Sequence, residues 1–213
     1  MNKMKINLFG LIKFGQRIHV EELYRKGIIY MNHLSEFLKI DDNVLRGDKY
    51  ESLSEIKEII NIEISYQGEK VGYAKNGKLS LWNNELSGNI YSMYTLFTID
   101  KLEEIRIDKK CKEFGNSFVI ITNVEEFISR VKKEANKQGL DIIFGTVDYV
   151  NTKEYVGNWS VFKKPKEYSY QNEFRFFVRQ NSSGPFCLTL GSIENISLMI
   201  DSEDLEKLTF GKK

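Results

Sequence analysis

Cysteine, histidine and proline are scarce in this chain, with two of each in 213 residues. Cys111 and Cys187 are too few and too far apart for a disulfide framework or a structural zinc site. His19 and His33 have no second ligand at helical or strand spacing, so no metal is expected. The near-absence of proline and of Ser/Gly tracts leaves no linker, and no 20–50-residue period repeats, which excludes a solenoid. No run approaches the ~18 apolar residues of a membrane helix, and the first residues form no signal-peptide stretch. The expectation is a reduced, cytoplasmic protein without a membrane partner. Lys and Arg total 31 against 30 Asp and Glu, for a net charge of +1. That balance argues against a polyanionic partner and hence against nucleic acid. The phosphate-loop, dinucleotide, zinc-protease, nucleophile-elbow and CxxC signatures are all missing.

The apolar patterning predicts an α+β fold in one domain over 1–213, with a curved, mainly antiparallel sheet and a few flanking helices. A strand is expected over 5–14, a helix over 19–26 ended by Gly27, a short strand over 28–31 and a second helix over 34–39. Residues 41–51 read as a polar loop. Between 56 and 98 the sequence predicts an antiparallel meander, with turns at Gln67-Gly68 and at the strong hairpin dipeptide Asn76-Gly77. Asn123, with Glu126 three residues on, predicts the start of a helix through Val131 and beyond. Further strands are expected at 141–150, 173–180, 186–190 and 195–200, and then a short helix near 202–208.

The segment from Lys163 to Arg179 is the most unusual. Strand alternation from Gln171 puts Gln171, Glu173, Arg175 and Phe177 on one side and Asn172, Phe174, Phe176 and Val178 on the other. On a solvated sheet face Glu173 and Arg175 would simply pair with cross-strand neighbours. In a cleft, Glu173 would stabilise a developing positive charge and Gln171 would orient the attacking group. Two further groups stand out. The first runs from Lys13-Phe14-Gly15 through Tyr30, Asn32 and Phe37 to Arg46-Gly47-Asp48-Lys49-Tyr50-Glu51, where Arg46, Asp48 and Glu51 read equally as a solvated salt-bridge cluster. The second is Tyr91 to Thr95, where Ser92 and Tyr94 share a strand face. The lysine pairs 109-110, 132-133 and 163-164 read as solvated surface or as parts of a basic patch.

The order of Lys13-Phe14-Gly15, Gly27-Ile28-Ile29-Tyr30-Met31-Asn32, Arg46-Gly47-Asp48-Lys49-Tyr50-Glu51 and Tyr170-Gln171-Asn172-Glu173-Phe174-Arg175 resembles an uncharacterised domain family of bacteria, prophages and phages. More distantly, the layout is similar to ADP-ribosyltransferase-like folds, whose late strand carries Gln-x-Glu, here Gln171-Asn172-Glu173. Their Ser-Thr-Ser strand has only Ser92 as a counterpart, and the early basic residue is open between Lys13, Arg17 and Arg46. That resemblance implies an enzyme using NAD as its substrate, with Glu173 and Gln171 catalytic. Tyr30, Tyr94 or Trp159 would stack on NAD, with Asn32, Arg46 and Arg175 also binding it. Two other readings are kept. One is a non-enzymatic module that binds and inhibits a host defence protein. The other is a nucleic-acid-binding protein or nuclease in which Asp48, Glu51 and Glu173 would hold magnesium. The sequence leaves the oligomeric state open.

Overall fold

The computed structural model describes residues 8–37, 50, 51, 53–82, 87–98, 102–180 and 184–211. Strand β1 (Leu8–Gly15) leads into α1 (Arg17–Lys26), β2 (Ile28–His33) and the short α2 (Leu34–Phe37). Strands β3 (Leu53–Tyr66), β4 (Glu69–Trp82) and β5 (Gly88–Phe97) come next, then β6 (Ser117–Ile121) and α3 (Val124–Lys137). The chain continues through β7 (Ile142–Thr146), β8 (Asp148–Val150), β9 (Gly157–Asn158) and β10 (Lys163–Pro165) into a 3-10 turn over Lys166–Gln171. It ends with β11 (Glu173–Arg179), β12 (Phe186–Thr189), β13 (Ser197–Asp201) and a 3-10 turn over Ser202–Lys207. The fold is α+β and mainly antiparallel, and only β8 and β10 run parallel among the described strand pairs.

Helix boundaries follow local chemistry. Gly27 closes α1 in the left-handed region at φ 65°, its N–H donating to Leu23 O at 2.9 Å. A Cβ there would lie 2.0 Å from Gly191 O, so the helix end and the chain after β12 require glycine. At α3 the Asn123 side chain accepts from the Glu126 N–H at 3.1 Å, satisfying one donor of the first turn. Phe127, Val131 and Ala135 form the buried stripe of α3, and Val20 and Leu23 that of α1.

Strand β5 organises the main sheet. Tyr94 pairs with Ile12 of β1 and with Glu173 of β11, so those strands lie on opposite edges of β5. Farther along, Asn89 pairs with His33 of β2 and Val178 of β11, so β1 and β2 share one edge. Beyond these, β6 and β13 extend the sheet past β1, β7 lies outside β11, and β12 lies outside β2. Helices α1 and α3 cover one face, where Val20, Leu23, Phe127 and Val131 pack with Leu11, Met93, Phe174 and Phe176. On the other face Ile12, Phe14, Phe118 and Ile120 pack with Cys111 and Leu205.

A separate small sheet is ordered β4-β3-β9. Gln67 and Gly68 turn β3 into β4 with φ of 52° and 86°, the two positive angles that a tight hairpin of this hand needs. The second expected turn, at Asn76-Gly77, is absent. Asn76 and Gly77 lie inside β4 opposite Ile60 and Ile59, and the strand runs unbroken through them. A Cβ at Gly77 would meet only Ile62 Cδ1, at 2.8 Å, the movable end of that side chain. The expected meander is therefore one long hairpin, after which β5 leaves for the main sheet. Its base is anchored by buried Leu53 and Ile56 against Trp159. From Lys57 to Tyr66 every residue but Ile62 is exposed.

Candidate functional site

On β11, Glu173 and Arg175 point away from the helix-covered face, as alternation requires, yet neither reaches water. Glu173 is 7% exposed and Arg175 1%. The solvated-face reading is thereby corrected: both faces of β11 are covered, one by helices and the other by the chain from β8 to the 3-10 turn after β10. Gln171 is not on the strand at all. It ends the 3-10 turn, and Asn172 at φ 38° swings the chain into β11. The Asn172 amide side chain donates to Thr95 O at 2.9 Å, while its own carbonyl accepts from the Thr95 N–H at 2.8 Å.

The buried charges are fully paired. Arg175 Nε donates to Glu173 Oε2 at 2.7 Å. Its other two nitrogens make a fork onto Glu51, at 2.7 Å to Oε1 and 3.1 Å to Oε2, and Nη1 also donates to Val161 O. The second Glu173 oxygen accepts from Lys164 Nζ at 2.7 Å, and the same ammonium donates to Gln171 Oε1 at 2.7 Å. Lys164 is itself 3% exposed and lies 4.8 Å from the centre of the Tyr168 ring. Two carboxylates and two cations thus cancel. Burial by itself would raise the Glu173 carboxyl, but the charges of Arg175 and Lys164 overrule it and hold the group well below the usual carboxylate range. Burial would lower Arg175, and Glu173 and Glu51 raise it instead. The Tyr149 hydroxyl, which accepts the Glu173 N–H at 2.8 Å, is pushed up by burial and then by the Glu173 charge. A carboxylate with each oxygen committed to a cation is a counter-ion; it is neither a proton donor nor an open acceptor. Breaking such a buried pair costs about 3–5 kcal/mol, because a charge is left without a partner.

Two segments singled out in the sequence therefore meet. Glu51 closes the Arg46 to Glu51 stretch and is 4% exposed, so it is a buried partner of Arg175 and no member of a solvated cluster. Arg46 and Asp48 lie outside the described residues. Lys164, which reads as half of a surface lysine pair, is the least legible member. Only its position before Pro165, in a segment that folds over β11, hints at burial. Of the other candidates, Tyr94 is the register partner of Glu173 and Ser92 that of Arg175. Tyr94 packs edge-on against Phe14, and burial raises its hydroxyl to about 12. Asn32 pairs with Ile90 farther along β5. Tyr30 is exposed, opposite Cys187 on the β2–β12 ribbon. Trp159 belongs to the hairpin base, its ring between Tyr50 and Tyr155 with centroids 5.6 and 5.7 Å away. The structure thus gathers Gln171, Glu173 and Arg175, sets Tyr94 beside them, leaves Tyr30 exposed on the β2–β12 ribbon and places Trp159 at the hairpin base.

His33 is a contact the sequence did not suggest. Its Nδ1 accepts the Ser35 N–H at 3.3 Å, while Nε2 is 3.0 Å from Ser87 Oγ. Nδ1 also lies 2.9 Å from Ser35 Oγ, so the ring bridges the start of α2 and Ser87. An open groove of about 650 Å³ lies at the other end of the sheet, between Arg17, Lys112, Asn116 and Asp201, and shares no residue with the buried charge cluster. Arg17 there is already paired with Glu21 at 3.1 Å and Asp201 at 2.7 Å. Among the described residues no cluster of His, Cys, Asp and Glu suits a metal ion, and no helix is long and apolar enough to cross a membrane. No family model, curated protein or solved structure matches the chain.

Proposed function

We propose that the chain is a protein-binding module whose docking element is the β3–β4 hairpin, held on the body by Leu53, Ile56 and the Glu51–Arg175 pair. The observation that carries this reading is the exposure of large apolar side chains along the hairpin, including Ile60 at 67%, Tyr66 at 68% and Tyr73 at 60%. An isolated two-stranded ribbon is marginal in water, so one this long and apolar gains most when a surface covers it. The resemblance to a domain family of bacteria and phages supports a host protein as one class of partner. A variant with 57–78 replaced by a short turn keeps the melting transition of the body and loses its partner in a pull-down from the producing cells. Unchanged capture by that variant would refute the reading.

A second reading, NAD-dependent ADP-ribose transfer, is favoured by one observation: Glu173 and Gln171 share Lys164, and Glu173 lies opposite Tyr94 on the strand that carries Ser92. For that chemistry Glu173 has to give up a cation to meet the ribose. Nicotinamide release from NAD by the wild type and its loss in Glu173→Gln would establish this second reading. The binding-module reading expects no release from either protein.

A further inference from the structure

Lys164, Gln171 and Glu173 bring an amine, an amide and a carboxylate together out of water, a combination that docking through the hairpin does not use. All three are buried, and the Tyr168 ring lies 4.8 Å from the Lys164 ammonium. Burial keeps water, the competing nucleophile, away from the amide. Lys164 Nζ is 2.7 Å from Gln171 Oε1, and a carbonyl bond is about 1.23 Å long, so Nζ lies within about 4 Å of the Gln171 carbonyl carbon. A shift of less than about 1 Å reaches the ~3–3.5 Å of a near-attack contact. The same nitrogen is 2.7 Å from Glu173 Oε1, which sets a proton acceptor against the amine. On the far side of the amide, Gln171 Nε2 donates to the hydroxyl of the half-buried Tyr170 at 3.3 Å.

We propose that Lys164 and Gln171 join in an intramolecular isopeptide bond, with Glu173 as proton acceptor and ammonia as the leaving group. Glu173 has no free oxygen, and the proton it takes is one that the Lys164 ammonium already holds against it. The freed lone pair of Nζ attacks Gln171 Cδ, and the bond from Cδ to Nε2 breaks. A second Lys164 proton passes to the departing nitrogen, which leaves as NH3, and the third stays on the new amide. No oxidant or activating group is consumed. The ion pair of Lys164 and Glu173 is replaced by an amide and a carboxylic acid, while Arg175 keeps its fork onto Glu51. Two buried charges vanish together, which a surrounding of low dielectric favours. Glu173 is the poorer partner for the amine, because a carboxylate repels a nucleophile and would have to expel an oxide. The charges of Arg175 and Lys164 keep Glu173 ionised, so the proton crosses seldom. The freshly folded chain therefore carries the ion pairs, and the link forms on ageing.

Mass spectrometry of the full chain, freshly folded and after ageing at mildly alkaline pH, is the test. The expected result is an aged chain lighter by one ammonia. Trypsin cuts after Lys163 and Lys166 but not before Pro165, so the fresh chain yields 164–166 and 167–175 as separate peptides, and the aged chain yields them joined. Lys164→Arg keeps a cation against Glu173 but has no amine to acylate, and it is expected to hold its full mass throughout. A wild type whose mass does not change on ageing overturns the inference. So does a loss of ammonia that maps elsewhere, such as a succinimide at Asn76-Gly77, or one that occurs equally in Lys164→Arg. A loss of water that joins Lys164 to Glu173 refutes the choice of Gln171.

Discussion

The buried charges of β11 and the exposed apolar chains of the hairpin invert the usual arrangement of a folded protein. In the body, Glu51, Glu173, Lys164 and Arg175 are out of water, and each has a partner of opposite sign. In the hairpin, isoleucines and tyrosines are in water with little to touch. The first arrangement is complete, and completeness is what a structural clasp needs: the desolvation cost of each ion is offset only while its partners remain. The second is incomplete, which is the condition of a surface awaiting a partner. The two regions join at the hairpin base, where Glu51 precedes β3 and Arg175 reaches it from β11. Function is therefore expected to depend on the hairpin and stability on the clasp.

The contrast can be broken by substitution. Arg175→Ala takes the guanidinium from Glu51 and leaves Glu173 with Lys164 alone, and chemical denaturation is expected to show a loss of about 3–5 kcal/mol. A loss below about 1 kcal/mol would mean that water reaches the cluster. Glu173→Gln leaves Lys164 and half of Arg175 short of a partner and should cost less, about 2–4 kcal/mol. Acid separates the same two proteins. The Glu173 carboxyl is lowered in the fold from 4.5, so the unfolded chain binds its proton first and stability is lost as pH falls below that value. The melting temperature of the wild type should fall with decreasing pH more steeply below about 4.5 than that of Glu173→Gln, and parallel slopes would deny the clasp its pH dependence. On the hairpin, Ile60→Lys is expected to change monomer stability by less than about 0.5 kcal/mol. The smallest effect is chemical. Burial pushes the Cys111 thiol up to about 12 while Cys187 is exposed, so a disulfide reagent should label one thiol per native chain.

Much of the body was legible in the sequence, because its patterns are local. The Asn123 cap, the Gly27 helix end and the alternation of β11 each act within a few residues. Two features were not. Asn76-Gly77 carries the letters of a turn, but both residues pair with β3, opposite Ile60 and Ile59, so strand pairing prevailed over a dipeptide preference. The burial of Lys164 and Glu51 was hidden because it depends on partners elsewhere in the chain, Glu173 nine residues from Lys164 and Arg175 124 residues from Glu51. Alternation shows which side of a strand a residue takes, and the chain that later folds over that side is set by topology. Glu173 was visible as an unusual residue, whereas the two cations that occupy its oxygens were not.

Hydrogen exchange on the full chain compares the two regions in one measurement. The expected result is that amides of β5 and β11 exchange slowly, while those between Lys57 and Leu79 exchange early. Hairpin amides as slow to exchange as those of β11 would contradict the account.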